Sequence, residues 1–166
     1  MLRGRRGYTV QMENVPGRLA VRADPETARR LFHMMLCLFP SPSTLSIRYR
    51  DSEGTHTWGR GAVNRAAIAE AFESLSEFIV SGQRIQVVVA SDTIGAEMQV
   101  TGGGELRVTA EEIAPFEKVV EECGIPALRA GRLSATPRLG PASRLAGEAA
   151  TLDNTLERHR LIPFRD

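Results

Sequence analysis

The 166-residue chain predicts an α/β fold of the α+β kind: a split βαβ-type sandwich with an antiparallel or mixed sheet, helices mainly on one face, and a C-terminal helical extension. Three observations carry this expectation. Stretches that alternate apolar and polar residues are interspersed with stretches whose apolar residues recur at helical spacing. The run Arg84–Asp92 is the most apolar in the chain and rich in valine, which marks a central strand covered on both faces or nearly so. A composition 42% hydrophobic and 25% charged supports a packed core, and with aromatics at 5% that core is aliphatic.

The elements follow in order. Tyr8–Met12 alternates like a strand with one exposed face, Asn14–Gly17 supplies turn residues, and Arg18–Arg22 pairs back as a second strand. Asp24 and Pro25 open a helix, the carboxylate accepting from free N–H groups and the proline standing where its missing N–H costs nothing. Ala28, Leu31, Phe32, Met35 and Leu38 or Phe39 form its buried face, and Pro40 and Pro42 end it. Thr44–Arg50 alternates, Asp51–Gly54 turns, and Thr55–Trp58 returns as a short strand. A second helix is expected over Ala62–Ser81, with Ile68, Ala71, Phe72, Leu75, Phe78 and Ile79 inward and Gly82 as its left-handed stop.

After the buried strand, Ala96–Val100 and Glu105–Val108 read as further strands separated by a flexible break at Gly102–Gly104. Thr109–Glu112 has the spacing of a capping box and opens a third helix, apolar at Ile113, Phe116, Val119 and Val120, that ends at Gly124. Residues 1–132 thus form the α/β domain. Residues 133–166 form a linker and a docking segment: Leu133–Gly147 is rich in Ser, Ala, Pro, Gly and Arg, and Leu145, Ala149, Leu152 and Leu156 then recur at helical spacing. Leu161–Phe164 is a final apolar stretch that docks on the chain itself or on a partner.

Net charge is +1, which argues for neither a nucleic-acid binder nor a membrane-surface protein. The distribution is uneven. Residues 1–30 hold seven Arg against three acidic residues, residues 31–124 seven basic against thirteen acidic, and residues 125–166 seven Arg against four acidic. Basic ends flanking an acidic middle suit a chain that folds back on itself or meets a partner of mixed charge. Cys37 and Cys123 belong to no CxxC pair or metal-ligand spacing, so both are expected to be buried thiols in a reducing compartment. No apolar run approaches the roughly 20 residues of a membrane span, and Arg3, Arg5 and Arg6 precede no signal-peptide core, so the expected location is the cytoplasm.

Motifs for chemistry are sparse. Gly102–Gly104 lacks the following Lys-Ser/Thr of a phosphate loop. Gly59-Arg60-Gly61 before the second helix, with Arg65, could hold an anion at a helix start. His33, His56 and His159 are dispersed; His56 near Asp51 and Glu53 is the nearest approach to an acid–base or metal cluster. Asp92 ends the buried strand, where ligand sites gather if the neighbouring strands are parallel. A ligand-binding protein or enzyme with its site near Asp92 and His56 is therefore the alternative to a binding module. No metal ligands, cofactor site or catalytic set are nominated.

One family likeness rests on particular residues. Gly17-Arg18-Leu19-Ala20-Val21-Arg22-Ala23 is similar, with one inserted residue, to the Gly-Leu-His-Ala-Arg-Pro signature of HPr-type phosphocarrier domains. The hairpin Ser46–Gly54 has their rhythm, and Val63-Asn64 with Ala67-Ile68 resembles the start of their second helix. The resemblance covers about Val10 to Val89. It implies a bacterial regulatory module with a split βαβ fold that docks a helical face on other proteins. It also implies that both phosphorylation chemistries are missing, because Ala20 stands at the phosphorylated histidine and Ala67 near the regulatory serine. The expectation is a non-catalytic protein-interaction or regulatory module, more an adaptor than an enzyme. Its contact residues are Arg18, Arg22, Arg60 and Arg65 at the helix starts, with Leu152 and Leu156 on the tail. The partner is another protein or a second copy engaged through the C-terminal segment; assembly as a structural subunit through that tail is the third reading.

Overall fold

The structure is a computed structural model that describes residues 7–11, 16–50, 54–80, 85–128 and 149–164. The strands are β1 (Gly7–Gln11), β2 (Gly17–Arg22), β3 (Ser43–Arg50), β4 (Thr55–Val63), β5 (Ile85–Ser91), β6 (Ala96–Thr101), β7 (Glu105–Ala110) and β8 (Ile162–Phe164). They form one open sheet in the order β1-β2-β7-β6-β5-β3-β4-β8, with every neighbouring pair antiparallel. The helices are α1 (Pro25–Leu36), α2 (Arg65–Ser74), α3 (Ser76–Val80), α4 (Ala114–Glu122) and α5 (Ala149–Arg158). This is an α+β fold.

Strand alternation decides which side the helices cover. Tyr8, Val21, Leu106, Val100, Val87, Ile47 and Trp58 stand opposite one another in turn, an apolar row crossing seven strands. A parallel row runs Val10, Leu19, Val108, Met98, Val89, Leu45. Apart from the half-buried Val10, all of these are buried in one cluster with side chains of α1, α2, α4 and α5. Burying them stabilises by about 2 kcal/mol per aliphatic side chain. Val88 points the other way and, although only 5% exposed, lies outside that cluster. The described helices therefore share one face, and β5 is central as its valines require.

Local signals explain α1. Asp24 Oδ1 accepts from the Thr27 backbone N–H at 3.0 Å and Oδ2 from the Thr27 hydroxyl at 2.7 Å, with Pro25 in the first turn. Phe32 stacks on Phe72 of α2 with ring centroids 3.7 Å apart, and Phe39 rather than Leu38 is the residue that packs beyond the helix end. β1 is tied down on both sides: Tyr8 pairs in the sheet, and its hydroxyl donates to Glu121 at 3.2 Å and Glu117 at 3.4 Å on α4. Burial, then the Glu121 hydrogen bond, pushes the Tyr8 phenol up to about 12.

Four sequence expectations change. The second helix begins at Arg65, because β4 stays paired with β3 as far as Val63, and it breaks at Leu75 into α2 and α3; Gly82 lies outside the described residues. The capping box at Thr109 is not used. Thr109 and Ala110 pair with β2 on one side and β6 on the other, so α4 begins after Ile113 without a side-chain cap. Gly102–Gly104 is a tight β6–β7 turn rather than a flexible break: Gly103 and Gly104 have φ of 98° and 82°, and a Cβ on Gly104 would lie 2.2 Å from the Ala23 carbonyl oxygen. Cys37 is exposed, because it follows the last turn of α1 instead of lying within its buried face.

The C-terminal segment packs on its own domain. Leu152 and Leu156 are 1% and 0% exposed and join Leu161 in the core, while the Tyr49 hydroxyl donates to Asp153 at 2.6 Å. β8 then pairs with β4 through Gly59↔Ile162 and Thr57↔Phe164. The linker residues 129–148 lie outside the described residues. Among the described residues no helix is long and apolar enough to cross a membrane.

Two measurements follow from this packing. Gly104→Ala should cost more than about 2 kcal/mol in urea unfolding, because its Cβ meets backbone, whereas Gly103→Ala, with open space around it, should cost about 1 kcal/mol. Equal costs would show that φ alone sets both. Leu156→Ala should lose about 2–5 kcal/mol; a loss below about 0.5 kcal/mol, the scale of a surface substitution, would show that α5 does not pack in the core.

Candidate functional sites on the sheet face and at the C-terminal edge

The side of the sheet opposite the helices carries a separate set of residues. Strand alternation places Arg18 and Arg22 of β2, Arg48 and Arg50 of β3 and Arg107 of β7 there, against Glu97 of β6 and Glu105 of β7. Arg107 donates through Nε to Glu105 at 2.6 Å, and a side-chain chain links Gln86 to Gln99 at 2.7 Å and Gln99 to Glu97. Arg18, Arg48 and Arg50 are exposed and form no ion pair with a described carboxylate. At the β8 edge of this face, Ile162 and Phe164 are 68% and 62% exposed. The Phe164 ring lies over Gly59, where a Cβ would come within 2.3 Å of it. A three-residue edge with Pro163 in its middle is the short, blunted kind that resists addition of a further strand.

The second feature is a notch of about 210 Å³ between β4, α2 and the α5–β8 turn. The row Val10 to Leu45 ends on Arg60 instead of an apolar residue, and Arg60 reaches the His159 carbonyl at 3.5 Å. A bulge makes this geometry: Ser43 pairs with Val63 and Leu45 with Arg60, so β4 holds one residue more than β3. Arg60 and Val63, three apart, then face the same side, which an unbroken strand forbids. Ala62 takes up the bulge at φ 52°. Across the notch, Leu161 N–H bonds to Leu156 O at 3.1 Å and Arg160 N–H to Glu157 O at 2.8 Å, a Schellman ending with Arg160 at φ 57° where glycine is favoured. Ala62 and Arg160 are the two non-glycine residues with positive φ among those described, each at a cost of about 1 kcal/mol.

A third cluster joins α1 to α2. Arg29 Nε donates to both Glu73 oxygens at 3.0 and 3.1 Å, and His33 Nε2 meets Glu73 Oε1. The Arg29 hydrogen bond, aided by His33, holds the Glu73 carboxyl below its usual range against the opposing effect of burial. The group joins α1 to α2.

The residues nominated from sequence are dispersed. Arg18 and Arg22 lie along β2 on the open sheet face, not at the start of α1. Arg60 faces the helical side in the notch. Arg65 opens α2, where its side chain donates to Phe39 O at 2.8 Å and its N–H to Ser41 at 3.2 Å. Asn64 caps the Ala67 N–H at 2.8 Å, so this helix start is already occupied and Gly59–Gly61 is strand. Leu152 and Leu156, buried in the chain's own core, offer no surface to a second protein. Asp92 and His56 are at opposite ends of the sheet: Tyr49 pairs with both His56 and Ile85, and Asp92 follows Ile85 by about 23 Å of strand. Both neighbours of β5 are antiparallel, so the parallel-strand rationale for Asp92 does not apply. His56 instead stacks on Tyr49 with ring centroids 4.8 Å apart. Among the described residues no three His, Cys, Asp or Glu side chains converge to hold a metal. Sequence reading missed Arg158 and Arg160 because only the turn after α5 brings them to Arg60; Arg48 and Arg50 were legible as the solvated side of an alternating strand.

Comparison with protein-family models, with curated proteins and with solved structures found no match for this chain.

Because the folded-state value of Glu73 lies below the unfolded one, its stabilisation is present at neutral pH and lost as pH falls through the carboxylate range. The pair is partly exposed, so Glu73→Gln should cost about 0.5–1 kcal/mol at neutral pH. That difference from the parent should vanish in unfolding curves below the carboxylate range; a difference independent of pH would show that charge is not its source.

Proposed function

We propose that this chain is a non-catalytic protein-interaction module that uses the face of its sheet opposite the described helices. The observation that supports the reading is the composition of that face: five arginines against two glutamates, with two exposed apolar side chains at one edge. Flat mixed surfaces with arginine and aromatic anchors are the usual chemistry of protein recognition. The charge excess favours a partner with an acidic surface and a recess for Phe164 and Ile162. Charge steers the encounter, and burial of the apolar pair holds the complex.

The HPr-like form of this reading is a regulator that has lost phosphocarrier chemistry. It draws on the strand–helix–strand–strand–helix–strand order from β2 to β5, on Ala20 where the resemblance places the phosphorylated histidine, and on Ala67 near the place of the regulatory serine. The β6–β7 hairpin, inserted in the sheet between β5 and β2, is a departure that widens the open face. Ala20 itself sits in mid-strand on that face.

The test uses the immobilised full chain as bait, with captured proteins quantified against variants. Arg18→Glu with Arg48→Glu, and separately Phe164→Asp, should each reduce a captured acidic protein by about tenfold or more. Arg65→Glu, on the helical side, should retain it. Equal capture by every variant would sink the reading, and so would capture abolished by nuclease, which would move the surface to nucleic acid.

A further inference from the structure

We propose that the notch between β4, α2 and the α5–β8 turn is a binding site for a small organic anion with an apolar body and a carboxylate or phosphate head. The site is separate from the protein-contact face, since Arg60 and Val63 point to the helical side of the sheet.

The two halves of the ligand follow from the two halves of the notch. Its floor is Leu45, Val63 and Ala71, all buried and apolar. Its rim holds Arg60, Arg158 and Arg160, none of which forms an ion pair with a described carboxylate, and Glu70 is the one acidic residue among the described lining residues. His159 also lines the notch, and its contact with Ser74 Oγ at 2.9 Å fixes the turn that carries its two arginine neighbours. Three guanidiniums against one carboxylate leave a positive excess over an apolar floor, and guanidinium is the side chain whose fork matches carboxylate and phosphate. The volume of about 210 Å³ exceeds the roughly 150 Å³ of a cavity that takes up benzene, so one ring and its acidic head fit.

A simpler account is that Arg158 and Arg160 only complement the C-terminal dipole of α5. That account leaves out Arg60, which arrives from β4, and the bulge that turns it there. It also leaves out the backbone: Arg160 stands in a left-handed position where glycine would relieve strain, as does Ala62 beside Arg60. Strain at both walls of one recess is what a site held for binding displays.

The substitution that relieves strain is also the test. The full chain is titrated calorimetrically at low salt with benzoate, phenyl phosphate and inorganic phosphate. One of the two aromatic anions is expected to bind one-to-one with a dissociation constant below about 1 mM, and which of them binds tighter identifies the head group. Arg160→Gly should keep or raise the thermal midpoint while weakening that binding by about tenfold. Arg60→Met, which keeps the length of the side chain, should weaken it likewise. Inorganic phosphate binding as tightly as phenyl phosphate would overturn the apolar half of the proposal. No binding by any of the three, or full affinity in both variants, would overturn the whole.

Discussion

Everything in this molecule depends on burying one side of one antiparallel sheet. The row from Tyr8 to Trp58 puts an apolar side chain at the same level of seven strands, and water must be kept from all of them at once. No single helix can do this, so α1, α2 and α4 lie across the row and α5 closes the β3–β4 side. The C-terminal segment is needed because Leu152, Leu156 and Leu161 complete the cover there. The same constraint leaves the opposite face to a mixture in which polar and charged residues predominate, with Ala20, Val88, Ile162 and Phe164 among them.

The two candidate sites arise where that constraint ends. On the outer face no described helix packs, so arginines stand on the strands with few counter-charges among the described residues. At the β4 edge the second apolar row stops at Leu45, and a bulge puts Arg60 at the row's seventh position, on β4, where an apolar residue would otherwise continue it. The bulge and the Schellman ending of α5 meet across the notch, and each carries a residue that has a Cβ in a conformation suited to glycine. Stability is given up at two neighbouring points, which is a different situation from scattered strain.

The polar contacts show how much of the fold is held by side chains far apart in sequence. Tyr8 reaches α4, Tyr49 reaches Asp153, and Arg29 with His33 reaches Glu73. Each is partly exposed and individually modest. Together they set the rotation of the helices over a core that aliphatic packing alone would leave less determined, because aliphatic side chains slide past one another at little cost while hydrogen bonds do not.

By itself the sequence determined the local elements: the β5 valines, the alternation of β3, the Asp24 cap of α1 and the apolar faces of α1 and α5. These signals operate over two to four residues, where steric and hydrogen-bond preferences need no distant partner. Only the tertiary structure decided that β4 runs through Gly59–Gly61 to Val63, that the Thr109 capping box stays in a strand, that the three glycines make a turn pressed against Ala23, and that Arg60 joins Arg158 and Arg160. In each case a ladder or close contact with a distant segment overrode the local preference. Arg18 and Arg22 were legible as exposed cations, but not their face, since a strand's outward side is defined only when the sheet knows which side the helices cover.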